Sequence, residues 1–243
     1  MLYLIGIGLG NEKDITVKGL EIVKKCELVY LENYTSVLQA SLNDLEKFYG
    51  KKIIIADREM VENKNEIIEN AKKKNIALLI VGSPLMATTH IDLLLRAEKE
   101  KVKTQIIDNA SILTSIGIIG LSLYKFGAVT SIPFENKNVK SPIDVVKKNM
   151  KNELHSLVLF DLDIKNNRFM KVNDATDYLI ENDIDDNLLA IGCGALGSEN
   201  EIKAGKLKEL REIKFNKFPQ CLVIPAKKLH FVEEEAIKRW KLK

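Results

Sequence analysis

Apolar runs of strand length alternate with amphipathic stretches along almost the whole chain. Residues 2–7 are almost wholly apolar, the composition of a strand buried on both faces. Asp14-Ile15-Thr16 then opens a helix in which Ile15, Leu20, Ile22 and Val23 form a stripe opposed by Lys18, Glu21, Lys24 and Lys25. Residues 28–31 and 53–55 read as strands, 65–74 as a helix and 76–81 as the next buried strand. A helix over 90–101 and a strand over 102–107 follow. This alternation predicts a parallel sheet with helices on both faces.

Past residue 108 the texture changes. A helix of small residues is expected over 111–124, then strands at 128–132, 157–162, 188–191 and 221–224. Helices are expected at 142–151, 174–181 and 229–240, with hairpin-like pieces around 200–214. The less regular spacing predicts a mixed sheet. The reading is therefore α/β, with two α/β domains, 1–109 and 110–243.

Composition narrows the function classes. The chain has 243 residues, 46% of them hydrophobic, enough to fill a sizeable core and to exclude disorder. Only five of its 37 cationic residues are Arg, and the net charge is +3. A nucleic-acid reader usually clusters arginine, whose planar fork grips phosphate and base edges, so no nucleic-acid partner is expected. Cys26, Cys193 and Cys221 form no CxxC pair, and with three histidines no zinc framework assembles by spacing. They read as reduced thiols of a cytoplasmic protein. The chain opens without a basic segment before its apolar run, and its longest weakly polar stretch, 111–124, is too short to span a bilayer. No membrane association is expected.

Several strand ends could carry chemistry. Gly6-Ile7-Gly8-Leu9-Gly10-Asn11 follows the first strand, and glycine there lets a ligand approach the backbone. GxGxxG fails because Asn11 stands where the third glycine belongs. The P-loop fails too, lacking a Gly-Lys-Ser/Thr ending. Val81 to His90 follows another buried strand, and its bland reading is a strand-to-helix connection with Thr88 or Thr89 as N-cap. Further candidates are Asn109-Ala110-Ser111-Ile112, Leu159-Phe160-Asp161, the glycine-rich 192–198 stretch and 224–230 with His230. Asp161 and Asp163 are close enough to suggest a cation, but without a third carboxylate they read as solvated strand-end groups. No Ser–His–Asp set, HExxH or metal cluster emerges, and no catalytic residue is assigned.

In order, the segments Gly6 to Gly10, Asp14 to Leu20, Tyr34-Thr35-Ser36, Pro84 to His90, Ser111-Ile112, Tyr124 to Gly127 and Lys228 to Glu233 resemble the diphthine synthases of the tetrapyrrole-methylase superfamily. The resemblance covers nearly the full chain, and the Ala-Thr-Thr-His and Lys-Leu-His segments are its specific part. It implies an N-terminal parallel sheet and a C-terminal mixed sheet with the cofactor cleft between them. It also implies a homodimer and use of S-adenosylmethionine, with S-adenosylhomocysteine as product. The implied reaction is an archaeal-type trimethylation of the amino group of a modified histidine on elongation factor 2, within diphthamide biosynthesis. Carried over by position, the cofactor contacts are Leu9, Ser83, Met86, Ser111, Ile112, Phe160, Leu196 and His230. Where the family commonly has Gly-Asp-Pro, this chain has Gly82-Ser83-Pro84. The stretch around 194–198 also departs in length.

Two other readings stay open on the residues alone: a corrinoid or porphyrin methyltransferase of the same fold, or a binding module that holds a nucleotide-like ligand without catalysis.

Overall fold

The computed structural model describes residues 1–86 and 90–242, and the chain divides into two compact units, Met1–Leu113 and Thr114–Lys243. The expected threonine N-cap at Thr88 or Thr89 lies outside the described residues.

In the first unit the apolar runs become β1 (Leu2–Gly6), β2 (Leu28–Glu32), β3 (Ile54–Ala56), β4 (Ile76–Ile80) and β5 (Thr104–Ile107). They pair in the order β3-β2-β4-β1-β5, every pair parallel. Between them run α1 (Val17–Lys25), α2 (Leu42–Tyr49), α3 (Glu66–Lys73) and α4 (Ile91–Lys99). Strand side chains alternate between faces, so Leu2, Leu4, Leu78 and Ile80 meet Ile67, Ile68, Leu93 and Ala97 of α3 and α4. Ile5, Ala77 and Leu79 meet Val23, Leu45 and Tyr49 of α1 and α2 on the other face. Both faces are covered, which is why these strands are apolar without alternation.

The start of α1 is sharper than the sequence suggested. Residues Glu12–Asp14 form a 3-10 turn, and Thr16 caps the helix, its Oγ1 accepting from Gly19 N–H at 3.0 Å. Helix α2 was not anticipated. Its signals are a Ser41–Asp44 capping box and Gly50 in the left-handed conformation at its end.

The second unit builds a mixed sheet. A short helix α5 (Ile112–Ser115) spans the junction of the two units, and β6 (Thr130–Ile132), α6 (Ser141–Lys151) and β7 (Ser156–Phe160) follow. A two-residue hairpin, β8 (Leu162–Asp163) and β9 (Arg168–Phe169), leads into α7 (Val172–Glu181). Next come β10 (Leu189–Gly194), β11 (Glu201–Lys206), α8 (Leu207–Arg211), β12 (Gln220–Ile224) and α9 (Phe231–Lys238). The strand order is β11-β10-β12-β7-β6, antiparallel except for the parallel β6–β7 pair. Val158, Ala190 and Leu222 pack against Val146, Ala175 and Leu179 of α6 and α7.

Two expectations are corrected here. The helix expected over 111–124 is broken into α5 and 3-10 turns at Ile116–Ile119 and Leu123–Lys125. Between the turns Gly120 takes φ +93°, and a Cβ there would sit 2.2 Å from Ala236 Cβ. Close approach of α9 thus requires glycine and a left-handed residue where a helix would run. The strand expected over 157–162 stops at Phe160, because the Asp161 carboxylate accepts from Leu162 and Phe134 N–H and bends the chain. Asp163 likewise holds Asn166 N–H and Nδ2. Both carboxylates serve turns.

Candidate functional site

In the first unit, β1 and β4 are neighbours whose following helices lie on opposite faces of the sheet, α1 on one and α4 on the other. A crevice opens at such a switch point, at the carboxyl ends of the strands, because the two loops leave in opposite directions. Here the loops are joined at their start: Gly8 and Gly82 form an antiparallel bridge, with Gly82 N–H on Gly8 O at 2.8 Å. Both glycines have positive φ, +77° and +82°. At Gly8 a Cβ would lie 2.5 Å from Asp14 Cβ.

The sheet order brings the end of β5 to the same edge. Asn109 Nδ2 donates to Gly6 O and Asp14 O, tying the β5 loop to the glycine loop. Asp14 Oδ2 in turn accepts from Gly10 N–H at 2.7 Å. Five of the sequence-assigned residues thus gather at one edge, four on its loops and Ile112 at the start of α5. Leu9 is half-buried, Ser83 and Ser111 are buried, Ile112 is half-buried and Met86 is 49% exposed. The open thioether and the half-buried aliphatic groups leave apolar surface for a flat ring, beside hydroxyls and backbone.

The 82–86 loop is anchored from below. His90 is buried, and its Nδ1–H donates to Pro84 O at 3.1 Å. Its Nε2 lies 3.9 Å from the Glu32 carboxylate at the end of β2. Glu32 is 1% exposed and accepts from Tyr34 N–H, Thr35 N–H and Thr35 Oγ1. Sequence reasoning assigned no role to Glu32, since one acidic residue at a strand end is common. Nor did it single out Asp108, whose Oδ1 accepts from Ser83 Oγ at 3.3 Å. That contact joins two loops and has no sequence signature.

The second unit separates its three assigned residues. Phe160 ends β7 and Leu196 follows β10; both strands run antiparallel to β12, so both ends lie beside Gln220. His230 follows the other end of β12, where Ile224 pairs with Ser156. His230 is the N-cap of α9: its Nδ1 accepts from Val232 N–H at 3.3 Å, which leaves the proton on Nε2. Beneath it, Glu233 is 4% exposed and takes four donors. Ser122 N–H and His155 Nε2–H reach Oε1, at 2.9 and 3.1 Å. His230 N–H and Lys125 Nζ reach Oε2, also at 2.9 and 3.1 Å. Burial acts to raise the Glu233 pKa, but these donors outweigh it and hold the carboxyl at about 2. His155 accepts from Ala226 N–H at Nδ1, and burial lowers its pKa.

Gly6–Asn11, 81–86 and 107–112 contain no Lys or Arg. Among the described residues no three His, Cys, Asp or Glu side chains converge as metal ligands, and no helix is long and apolar enough to cross a membrane. The three cysteines are free and buried. These three loops can therefore surround a nucleoside with small and apolar groups while presenting a carboxylate, and they bring no cationic side chain of their own. The nearby cations are Lys13 and Arg58, the latter stacked on Tyr34 at 5.2 Å.

The sequence and fold are shared with known proteins. The family described as Tetrapyrrole (Corrin/Porphyrin) Methylases matches residues 1–211. The diphthine methyl ester synthase of Mus musculus is 41% identical, covering 98% of this chain and 95% of the relative. That of Schizosaccharomyces pombe is 40% identical, covering 99% and 94%. A crystal structure of diphthine synthase superposes with a TM-score of 0.93 at 38% identity, covering 99% of this chain and 95% of the other. These two named relatives are eukaryotic, so the archaeal-type assignment gains no support from them. Full-length similarity at this level, on a fold with the same two sheets, makes the chain a methyltransferase of the tetrapyrrole-methylase family and, within it, a member of the diphthine synthases.

Proposed function

We propose that the chain transfers methyl groups from S-adenosylmethionine to the amino group of the modified, aminocarboxypropyl-bearing histidine of elongation factor 2, giving the trimethylated product diphthine. The observation that carries this reading is the switch-point edge of the first unit. Its glycine bridge, buried hydroxyls and the exposed Asp108 carboxylate fit a cationic nucleoside better than a phosphorylated one. When bound, the cofactor supplies a methyl group on an already activated sulfonium. The chain's own part is then to position and to exclude water. Leu9, Met86 and Ile112 would flank the nucleoside, and Ser83 and Ser111 would offer hydroxyls. Phe160, Leu196 and His230 are proposed contacts on the resemblance alone, each testable by its own variant. The attacking amine must lose a proton, and no residue is assigned to take it.

A second reading, that a further methyl is added as an ester, is supported by the relatives' names. One experiment separates the possibilities: incubation of the protein with labelled S-adenosylmethionine and elongation factor 2 bearing the unmethylated side chain, beside uroporphyrinogen. Label in the protein band that survives mild alkali supports N-methylation, and label released by alkali reveals an ester. Label in the tetrapyrrole, or none, overturns the proposal. We further read the chain as a cytoplasmic homodimer, which sedimentation at micromolar concentration tests.

A further inference from the structure

Ser83 is 5% exposed, and its hydroxyl is directed at Asp108. Ser83 lies just past β4 and Asp108 directly follows β5, while β1 runs between those strands. The two side chains therefore meet across the carboxyl end of β1, over the glycine loop. A hydroxyl donating to one carboxylate oxygen fixes the orientation of the group and leaves its remaining lone pairs for a second donor. Asp108 is exposed, and among the described residues no cationic side chain pairs with it. The neighbouring Asp14, also exposed, already has its Oδ2 engaged by Gly10 N–H at 2.7 Å. An outward carboxylate, oriented by a buried hydroxyl among three loops that carry no Lys or Arg, is complementary to a cationic amine. N–H donors suit its lone pairs, and the pair is charge-assisted.

We propose that Asp108 is the anionic anchor for the ammonium of the cofactor's amino-acid arm, and that Ser83 is its positioning residue. This deepens the cofactor reading above and rests on it. Position 83 itself then needs no carboxylate, because the charge is supplied by the next loop.

The test is calorimetric titration of the wild type, Asp108→Asn and Ser83→Ala with S-adenosylhomocysteine and with 5′-methylthioadenosine, which keeps the nucleoside and thioether but lacks the arm. Asp108→Asn is expected to weaken S-adenosylhomocysteine by about tenfold or more and to leave methylthioadenosine within about twofold. Ser83→Ala should show the same selectivity with a smaller loss, about threefold. Asp108 is exposed, so its substitution leaves the fold intact, and an unchanged melting curve verifies this. If the wild type binds both compounds while Asp108→Asn weakens neither, or weakens both equally, the assignment of Asp108 is wrong. A wild type that binds neither overturns the cofactor reading itself, and this assignment with it.

Discussion

Glu233 holds the second unit together at a point that can be probed without changing its shape. Glu233→Gln keeps the volume and one carbonyl oxygen, which can still accept from Ser122 N–H and His155 Nε2–H. The new NH2 then faces His230 N–H and the Lys125 ammonium, donors against a donor. A carboxyl held at about 2 against an ordinary 4.5 corresponds to about 3 kcal/mol at 1.36 kcal/mol per tenfold in proton affinity. Leaving buried donors without an acceptor costs a similar amount. The variant should therefore be less stable by about 3 kcal/mol at pH 7, lowering the melting temperature by about 6–12 °C. Because the folded pKa lies below the unfolded one, this stabilisation is complete above about pH 4.5. It drains away as pH falls toward 2, and the two proteins should converge there. Urea unfolding followed by circular dichroism at a series of pH values measures the gap. A difference below about 1 kcal/mol at pH 7, or one that stays constant down to pH 3, would refute the reasoning.

Three other substitutions test the remaining structure. Gly6→Ala places a Cβ 2.5 Å from Gly82 O and 2.9 Å from Asn109 Cβ. It should cost about 1–3 kcal/mol and weaken S-adenosylhomocysteine binding several-fold, as titration calorimetry would read. Gly120→Ala combines left-handed backbone with a 2.2 Å approach to Ala236 Cβ, so a loss above about 3 kcal/mol is expected in chemical denaturation. His230→Ala removes both the α9 cap and the proposed cofactor contact, whereas His230→Asn restores a cap. If His230 touches the cofactor, both variants raise KM for S-adenosylmethionine several-fold with kcat nearly intact. A defect confined to the alanine variant would reduce His230 to a helix cap.

What the sequence made legible was whatever depends on local pattern. The buried strands β1 and β4 announced themselves as apolar runs, and the glycines of 6–10 marked the edge where the loops meet. What it concealed depends on partners far along the chain. The 111–124 segment looks helical because nothing nearby reveals that Ala236 will press on Gly120. Helix α2 offered only Leu45 and Tyr49 as buried residues, too few for a clear stripe, although its capping box and terminal glycine were present. Within the site, five of the eight assigned residues come to one edge of the first sheet. The pairing of Ser83 with Asp108 and the burial of Glu32 beside His90 required the sheet order first.

The place of β12 in its sheet has a bearing on how the protein is made. In the first unit the central strand β4 is available once residue 80 has left the ribosome, and the sheet is complete by residue 107. In the second, the central strand β12 is the last in sequence, lying between β10 and β7. Until residue 224 emerges, β7 and β10 each wait with an open hydrogen-bonding edge, and α9 is still to bring Glu233 to Ser122, Lys125 and His155. Synthesis runs from the N-terminus, so the first unit can fold early, while the second has only its separate β6–β7 and β10–β11 pairs to form until β12 joins them. That interval is when exposed edges meet those of other nascent chains. A ribosome that pauses before β12 would thus release its hazard in the second unit alone.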